Sequence, residues 1–196
     1  MKRAPKRQQP YHHGDLRNAL LESARAILEQ KGLKALTLRA VARKARVSHT
    51  APYRHFSKLD ALLVELSKEG FAELRTGIAA ACAAPRAASE CITAIGAAYM
   101  RFVAQRPALA RLMFGTQFAN RENFPELQTA AESVGVEISR ALSDMALGYA
   151  VWAAAHGLAM LALENVIDLG QQRSGLNVLP GRAEIILRSL LTIPRN

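Results

Sequence analysis

Alanine and leucine dominate the chain, 36 and 26 residues of 196, whereas Val, Ile and Thr together number 25. Ala and Leu stand near the top of the helix-propensity scale and β-branched residues favour strands. No segment alternates polar and apolar residues long enough to make a half-buried strand, so the expected fold class is all-α. A chain of this length can bury about 70% of its unfolded surface, enough for a core without staples. The two cysteines, Cys82 and Cys91, have no C-x-x-C spacing and no histidine at a zinc-ligand distance. They read as reduced core thiols of a cytoplasmic protein, with no metal and no cofactor expected. The opening residues MKRAPKRQQP carry charge but no following apolar run, unlike a secretory signal.

The formal net charge is +10, and its placement is informative. Residues 1–60 hold 14 Lys and Arg against 4 Asp and Glu, while residues 61–196 hold 12 against 12. A front third with all the excess gains affinity for a polyanion by releasing its counterions. Nucleic acid and an anionic membrane face are the partners that satisfy this; a merely solvated basic surface is the alternative.

Apolar periodicity predicts a helix over 15–31, with Leu16, Leu20, Ala24, Ile27 and Leu28 on one face and Gly32 as its stop. Thr37 caps a short helix through about residue 45, Ser48 starts another through Phe56, and a longer helix begins near Lys58. Further helices are expected over 88–105, 107–115, 125–144, 149–169 and 182–192, with loops near 116–124 and 170–181. Residues 145–163 carry no formal charge; their many alanines point to a helix buried on most sides by protein rather than a membrane span.

The run TLRAVARKARVSHTAPYRHF, residues 37–56, carries the functional signal. Ala42 and Ala45 are small where two helices would cross, and Val47 and Phe56 are apolar where they would face a core. His49, Thr50, Tyr53, Arg54 and His55 offer hydrogen-bonding and stacking groups suited to base edges. Thr37, a hydroxyl at a helix N-terminus, and Lys58, a cation at the start of the next helix, suit phosphates, and Arg39, Arg46 and Ser48 complete the expected DNA-binding set. This pattern, T-x-x-x-V-A-x-x-A-x-V-S followed by Y-R-H-F and K-x-x-L-L, resembles the DNA-binding domain of the TetR family of transcriptional regulators over residues 14–66. The resemblance implies a homodimeric regulator, usually a repressor, of a palindromic double-stranded DNA operator, in which Tyr53 and His55 hold phosphates, Lys58 anchors the backbone and residues 48–54 read the major groove. It divides the chain into a basic arm (1–13), a three-helix helix-turn-helix domain (14–60) and a helical effector-binding and dimerisation domain (61–196). Two positions depart from the family pattern. Arg46 stands where glycine is usual for a left-handed turn, so either the turn is reshaped or the arginine is tolerated there for a phosphate contact. Pro52 lacks an N–H, which makes the reading helix start late. The arm, with Lys2, Arg3, Lys6 and Arg7, either enters the minor groove or only solubilises.

In the second domain, RPALARLMFG (106–115) and VWAAAHGLAML (151–161) resemble the C-terminal domain named for a Trp, His and Gly signature, here Trp152, His156 and Gly157. Tyr99, Phe102, Met113, Phe114, Phe118, Trp152, His156 and Met160 are large groups among many alanines. Core packing accounts for any one of them; together they suggest a pocket for an apolar small-molecule effector. Ala155, Ala159 and Ala162, facing Ile186 and Leu190, are the expected dimer contacts. No motif of nucleophile, phosphate loop or clustered carboxylates points to an enzyme. A sequence-indifferent architectural DNA binder and a membrane-surface protein are the competing readings of the charge.

Overall fold

The computed structural model describes residues 13–84 and 87–191; at 13–15, 121, 183 and 188–191 only the backbone is described. The described residues are helical and contain no strand. They fall into two compact units, residues 1–62 and 63–196. The basic arm lies outside the described residues.

In the first unit, α1 (His13–Lys31) buries Leu20, Leu21, Ala24, Ile27 and Leu28, and Gly32 ends it at φ 76°. A single 3-10 turn (Leu33–Ala35) leads to α2 (Leu38–Lys44), which packs across α1 through Leu38, Val41 and Ala42. Helix α3 (Leu59–Ala81) begins in this unit and runs on into the second.

The second unit is built on α4 (Ala88–Gln105), whose Ile92, Ile95, Tyr99, Met100 and Val103 are buried. Against it pack α5 (Pro107–Phe114), α6 (Pro125–Leu142), α7 (Met145–Leu163) and α9 (Leu179–Leu191). Helix α7 starts earlier than the apolar pattern suggests because Asp144 caps it, accepting a hydrogen bond from Leu147 N at 2.9 Å. It also stops six residues before the expected end, where Asn165 turns left-handed at φ 55°. The loop expected over 170–181 contains a short helix, α8 (Gln171–Ser174). Buried Gln171 organises this corner. Its Nε2 donates to Ala162 O and Ile167 O, and its Oε1 accepts from Leu169 N.

Helix α7 is long and apolar enough to cross a membrane by length and composition, but only 33% of its most apolar window is buried within the subunit. The expectation of a helix buried on most sides is therefore corrected. One stripe (Gly148, Val151, Ala155, Ala159, Ala162) is closed against its own subunit, and another (Ala150, Ala153, Leu161) is open.

The α6–α7 crossing is set by Gly148. A Cβ there would lie 2.7 Å from Ser139 Cα and 2.9 Å from Ser139 N, backbone atoms that cannot swing aside. Gly148→Ala gains about 1 kcal/mol of helix propensity but forces overpacking worth about 1–3 kcal/mol. It should lower the urea midpoint. Gly77→Ala, in α3 with nothing within 4 Å of its Cβ position, should raise it.

Candidate functional site

Residues 37–56 are shaped by their ends. Thr37 is extended at φ −137° and caps α2, its hydroxyl accepting from Ala40 N at 3.1 Å. At the other end Val47 N donates to Ala42 O at 3.0 Å and Arg46 N to Arg43 O at 3.2 Å. This pair of bonds is the Schellman closure, and it requires a left-handed residue. Arg46 takes that conformation itself at φ 58°, so the turn keeps its form and the arginine bears the cost. Its side chain is exposed.

The helix expected over 48–56 is shorter than its pattern. Residues 48–50 form a turn in which the Ser48 and Thr50 hydroxyls lie 3.1 Å apart, and only Ala51–Arg54 coil, as one 3-10 turn with Pro52 at its second position. Proline tolerates only the first turn of a helix, and the Pro52 carbonyl accepts from both His55 N and Phe56 N. Pro52 and Phe56 are buried beneath this segment, and the Arg17 guanidinium sits 5.7 Å from the Phe56 ring centroid. Tyr53, at 53% exposed, and Arg54 are therefore turned outward, as are His49 and Thr50, while His55 is half-buried. Ala45 and Val47 are only half-buried.

Thr37, Leu38, Arg39, Tyr53, Ser57, Lys58 and Leu59 line an open groove of about 390 Å³. Three hydroxyls and two cations converge on it, a donor set suited to a phosphate. Lys58 Nζ is 3.2 Å from Asp60 Oδ2, with both side chains more than half exposed. Such a pair contributes about 0–1 kcal/mol, too little to keep the lysine from a phosphate. The sequence marks Ser57 only as the cap of the helix beginning near Lys58, not as a DNA contact, and it does not point to a second groove of about 310 Å³ holding Gln30, Lys31, Arg43 and Lys44. The signal for the latter was the paired cations in the last turn of α2.

In the second unit Tyr99, Phe114 and His156 come together. Tyr99 Oη and His156 Nδ1 share a 2.9 Å hydrogen bond, and the Phe114 ring lies 4.3 Å from the imidazole. Phe71 of α3, absent from the sequence reading, meets Phe114 edge-on at 5.3 Å. Burial pushes the Tyr99 phenol well above its ordinary range and holds the His156 imidazole below its own, favouring both neutral forms. The Trp152 indole opposes the rise at Tyr99, although its buried Nε1 reaches no acceptor in good hydrogen-bond geometry. Phe118 belongs to a separate contact, edge-on to Phe124 at 5.3 Å. Phe102 and Met113 are buried, and Met160 is half-buried.

The alanines assigned to a dimer contact are corrected. Ala155, Ala159 and Ala162 are at most 1% exposed within one subunit, so they offer no area to a second copy. Ile186 is half-buried, and the Leu190 side chain lies outside the described residues.

A family model described as bacterial regulatory proteins, tetR family, matches residues 20–66, and one described as tetracyclin repressor-like, C-terminal domain, matches residues 92–175. Among curated proteins none matches by sequence. A protein of unknown function from Rhodococcus sp. RHA1 superposes with a TM-score of 0.75 at 29% identity, over 93% of this chain and 98% of its own. A bacterial regulatory protein in the tetR family from Rhodococcus RHA1 superposes at 0.68 with 21% identity, over 92% and 98%. The transcriptional regulator FadR from Bacillus subtilis, solved in complex with stearoyl-CoA, superposes at 0.66 with 14% identity, over 88% and 98%. The last two likenesses speak for the fold.

Arg46→Gly should separate stability from binding. Relief of the left-handed strain should add about 1 kcal/mol to unfolding stability, while loss of one cation should flatten the log–log salt dependence of DNA binding by about 0.9. Denaturant melts and salt titrations measure the two. At His156 the unfolded state takes up a proton near pH 6.5 that the folded state resists, so stability falls as pH drops through that value. Urea midpoints between pH 7 and pH 5 should slope less for His156→Asn than for the natural protein.

Proposed function

Because the chain belongs to the TetR family of bacterial regulatory proteins, which are DNA-binding transcription regulators, we propose that it is a homodimeric repressor released by an apolar small-molecule effector. The observation that carries this reading is the outward presentation of Tyr53 and Arg54 on a short turn above buried Pro52 and Phe56. Beside them lies the groove of Thr37, Arg39, Ser57 and Lys58. The turn reads base edges in the major groove, and the hydroxyls and cations hold the flanking phosphates. A reading segment of one turn touches few base pairs, so operator affinity comes from pairing two such units about 34 Å apart. The basic arm adds backbone or minor-groove contacts, and the regulator acts in the cytoplasm, where its operator lies.

The second copy docks along the open stripe of α7. Ala150, Ala153 and Leu161 are exposed there, Gly157 is half-buried with nothing within 4 Å of its Cβ position, and Ile185 of α9 is 60% exposed. Small residues let helices approach closely, the packing of a four-helix interface. The effector is proposed to lodge at Tyr99, Phe114, Trp152 and His156. Apolar rings dominate there, and Trp152 Nε1 is a donor in want of an acceptor. FadR with stearoyl-CoA is an example, in a protein of similar fold, of a ligand with a long apolar part.

Selection of bound sites from a random duplex pool at fixed salt should enrich a palindrome with half-sites about one helical turn apart. No enrichment would overturn the reading in favour of an architectural binder. Leu161→Arg should convert a dimer into a species eluting near 21.3 kDa and weaken operator binding at least tenfold, about 1.4 kcal/mol. A variant that remains dimeric would remove α7 from the interface.

A further inference from the structure

Cys82 follows the last residue of α3 and Cys91 lies in the first turns of α4. Their sulfur atoms are 2.6 Å apart, closer than two non-bonded sulfurs rest, and the two residues are not joined. Their surroundings differ. Cys91 is 5% exposed, with its Sγ 3.9 Å from Ala141 O at the end of α6. Cys82 is only half-buried and lies near enough to Arg140 for each charge to bear on the other. Arg140 itself is paired with Glu137. A reachable thiol beside a cation has the character of an attacking sulfur, and a buried thiol in contact with it has that of a resolving one.

We propose that Cys82 and Cys91 are a modification site: a dithiol that a peroxide closes reversibly into an intramolecular disulfide. The Cys82 thiolate attacks one oxygen of hydrogen peroxide. The O–O bond breaks, hydroxide leaves and takes up the thiol proton as water, and Cys82 becomes a sulfenic acid. The Cys91 sulfur then attacks Cys82 Sγ, the S–O bond breaks, and the hydroxyl departs with the Cys91 proton as a second water. Two thiols supply the two electrons that reduce one peroxide, and a dithiol reductant reverses the closure by exchange. Reversible disulfides of this kind are the ones that reducing compartments use for sensing. The bond would staple the end of α3, the helix that starts beside Lys58, to the start of α4. It requires nothing of the regulator reading, since the two thiols belong to one unit.

The test uses the full chain, reduced with dithiothreitol, desalted, and exposed to one equivalent of hydrogen peroxide. Thiols are then alkylated after unfolding in urea. The expected product has lost about 2 Da and both alkylation sites, yields a Cys82–Cys91 linked peptide, melts at a higher temperature and recovers both thiols with dithiothreitol. In Cys91→Ser, Cys82 should accumulate as a sulfenic acid trapped by dimedone. In Cys82→Ser, Cys91 should stay alkylatable, which separates the two roles. Cross-links only between chains on a non-reducing gel, over-oxidation of Cys82 with Cys91 still alkylatable, or two unchanged thiols would each overturn the proposal.

Discussion

The left-handed backbone of Arg46 is the constraint on which the interface rests. It turns the chain out of α2 so that Pro52 and Phe56 return to the core while His49, Thr50, Tyr53 and Arg54 stay outside. Two other helices close in the same way. Ser143 at φ 53° ends α6, with Asp144 N bonded to Ser139 O, and Asn165 at φ 55° ends α7, with Val166 N bonded to Leu161 O. An L-residue in this region costs about 1–2 kcal/mol. Each closure satisfies two otherwise orphaned carbonyls, worth about 0.5–1.5 kcal/mol apiece, so the motif roughly breaks even. What it secures is direction.

This economy explains which boundaries were legible in the sequence. The stop of α1 was readable because glycine stands at its left-handed position, and Thr37 was readable as a cap because a hydroxyl there has one obvious partner. Asn165 gave no comparable warning, because the apolar pattern continues past it through Val166, Ile167 and Leu169. The fold of the reading segment was half legible. Pro52 announced a late start, but that only one 3-10 turn would remain depends on the Pro52 carbonyl accepting two bonds at once. Gln171 was silent. A polar residue in a stretch rich in Gly and Asn signals a loop, and only the tertiary structure brings it to Ala162 O and Ile167 O.

The interface alanines failed for a different reason. In α7 small residues occur on every face, so periodicity identifies a helix without saying which side its own subunit covers. The decision belongs to Gly148, which lets Ser139 approach and thereby rotates the Ala155–Ala159–Ala162 stripe inward. The stripe that remains open is apolar too, and that is the physical reason a nineteen-residue uncharged helix is only one-third buried in a single subunit. The aromatic cluster proposed for the effector was legible as a set of large residues but not as a geometry. His156 could be named, but not its bond to Tyr99 or its contact with Phe114.

That cluster bears directly on α3. Phe114 touches His156 on one side and Phe71 on the other, and Phe71 is fully buried in the helix whose first turn follows Lys58. Ser67, one turn earlier on the same helix, is buried with a hydroxyl that makes no hydrogen bond among the described residues, a penalty of about 1–3 kcal/mol. A ligand can shift a two-state protein only by the difference in its affinity for the two states. A buried group left unsatisfied, such as the Ser67 hydroxyl, can supply such a difference more readily than the close-packed aliphatic side chains of α4. On the proposed reading, an effector that displaces Phe114, or offers an acceptor to Ser67, would act on α3 itself.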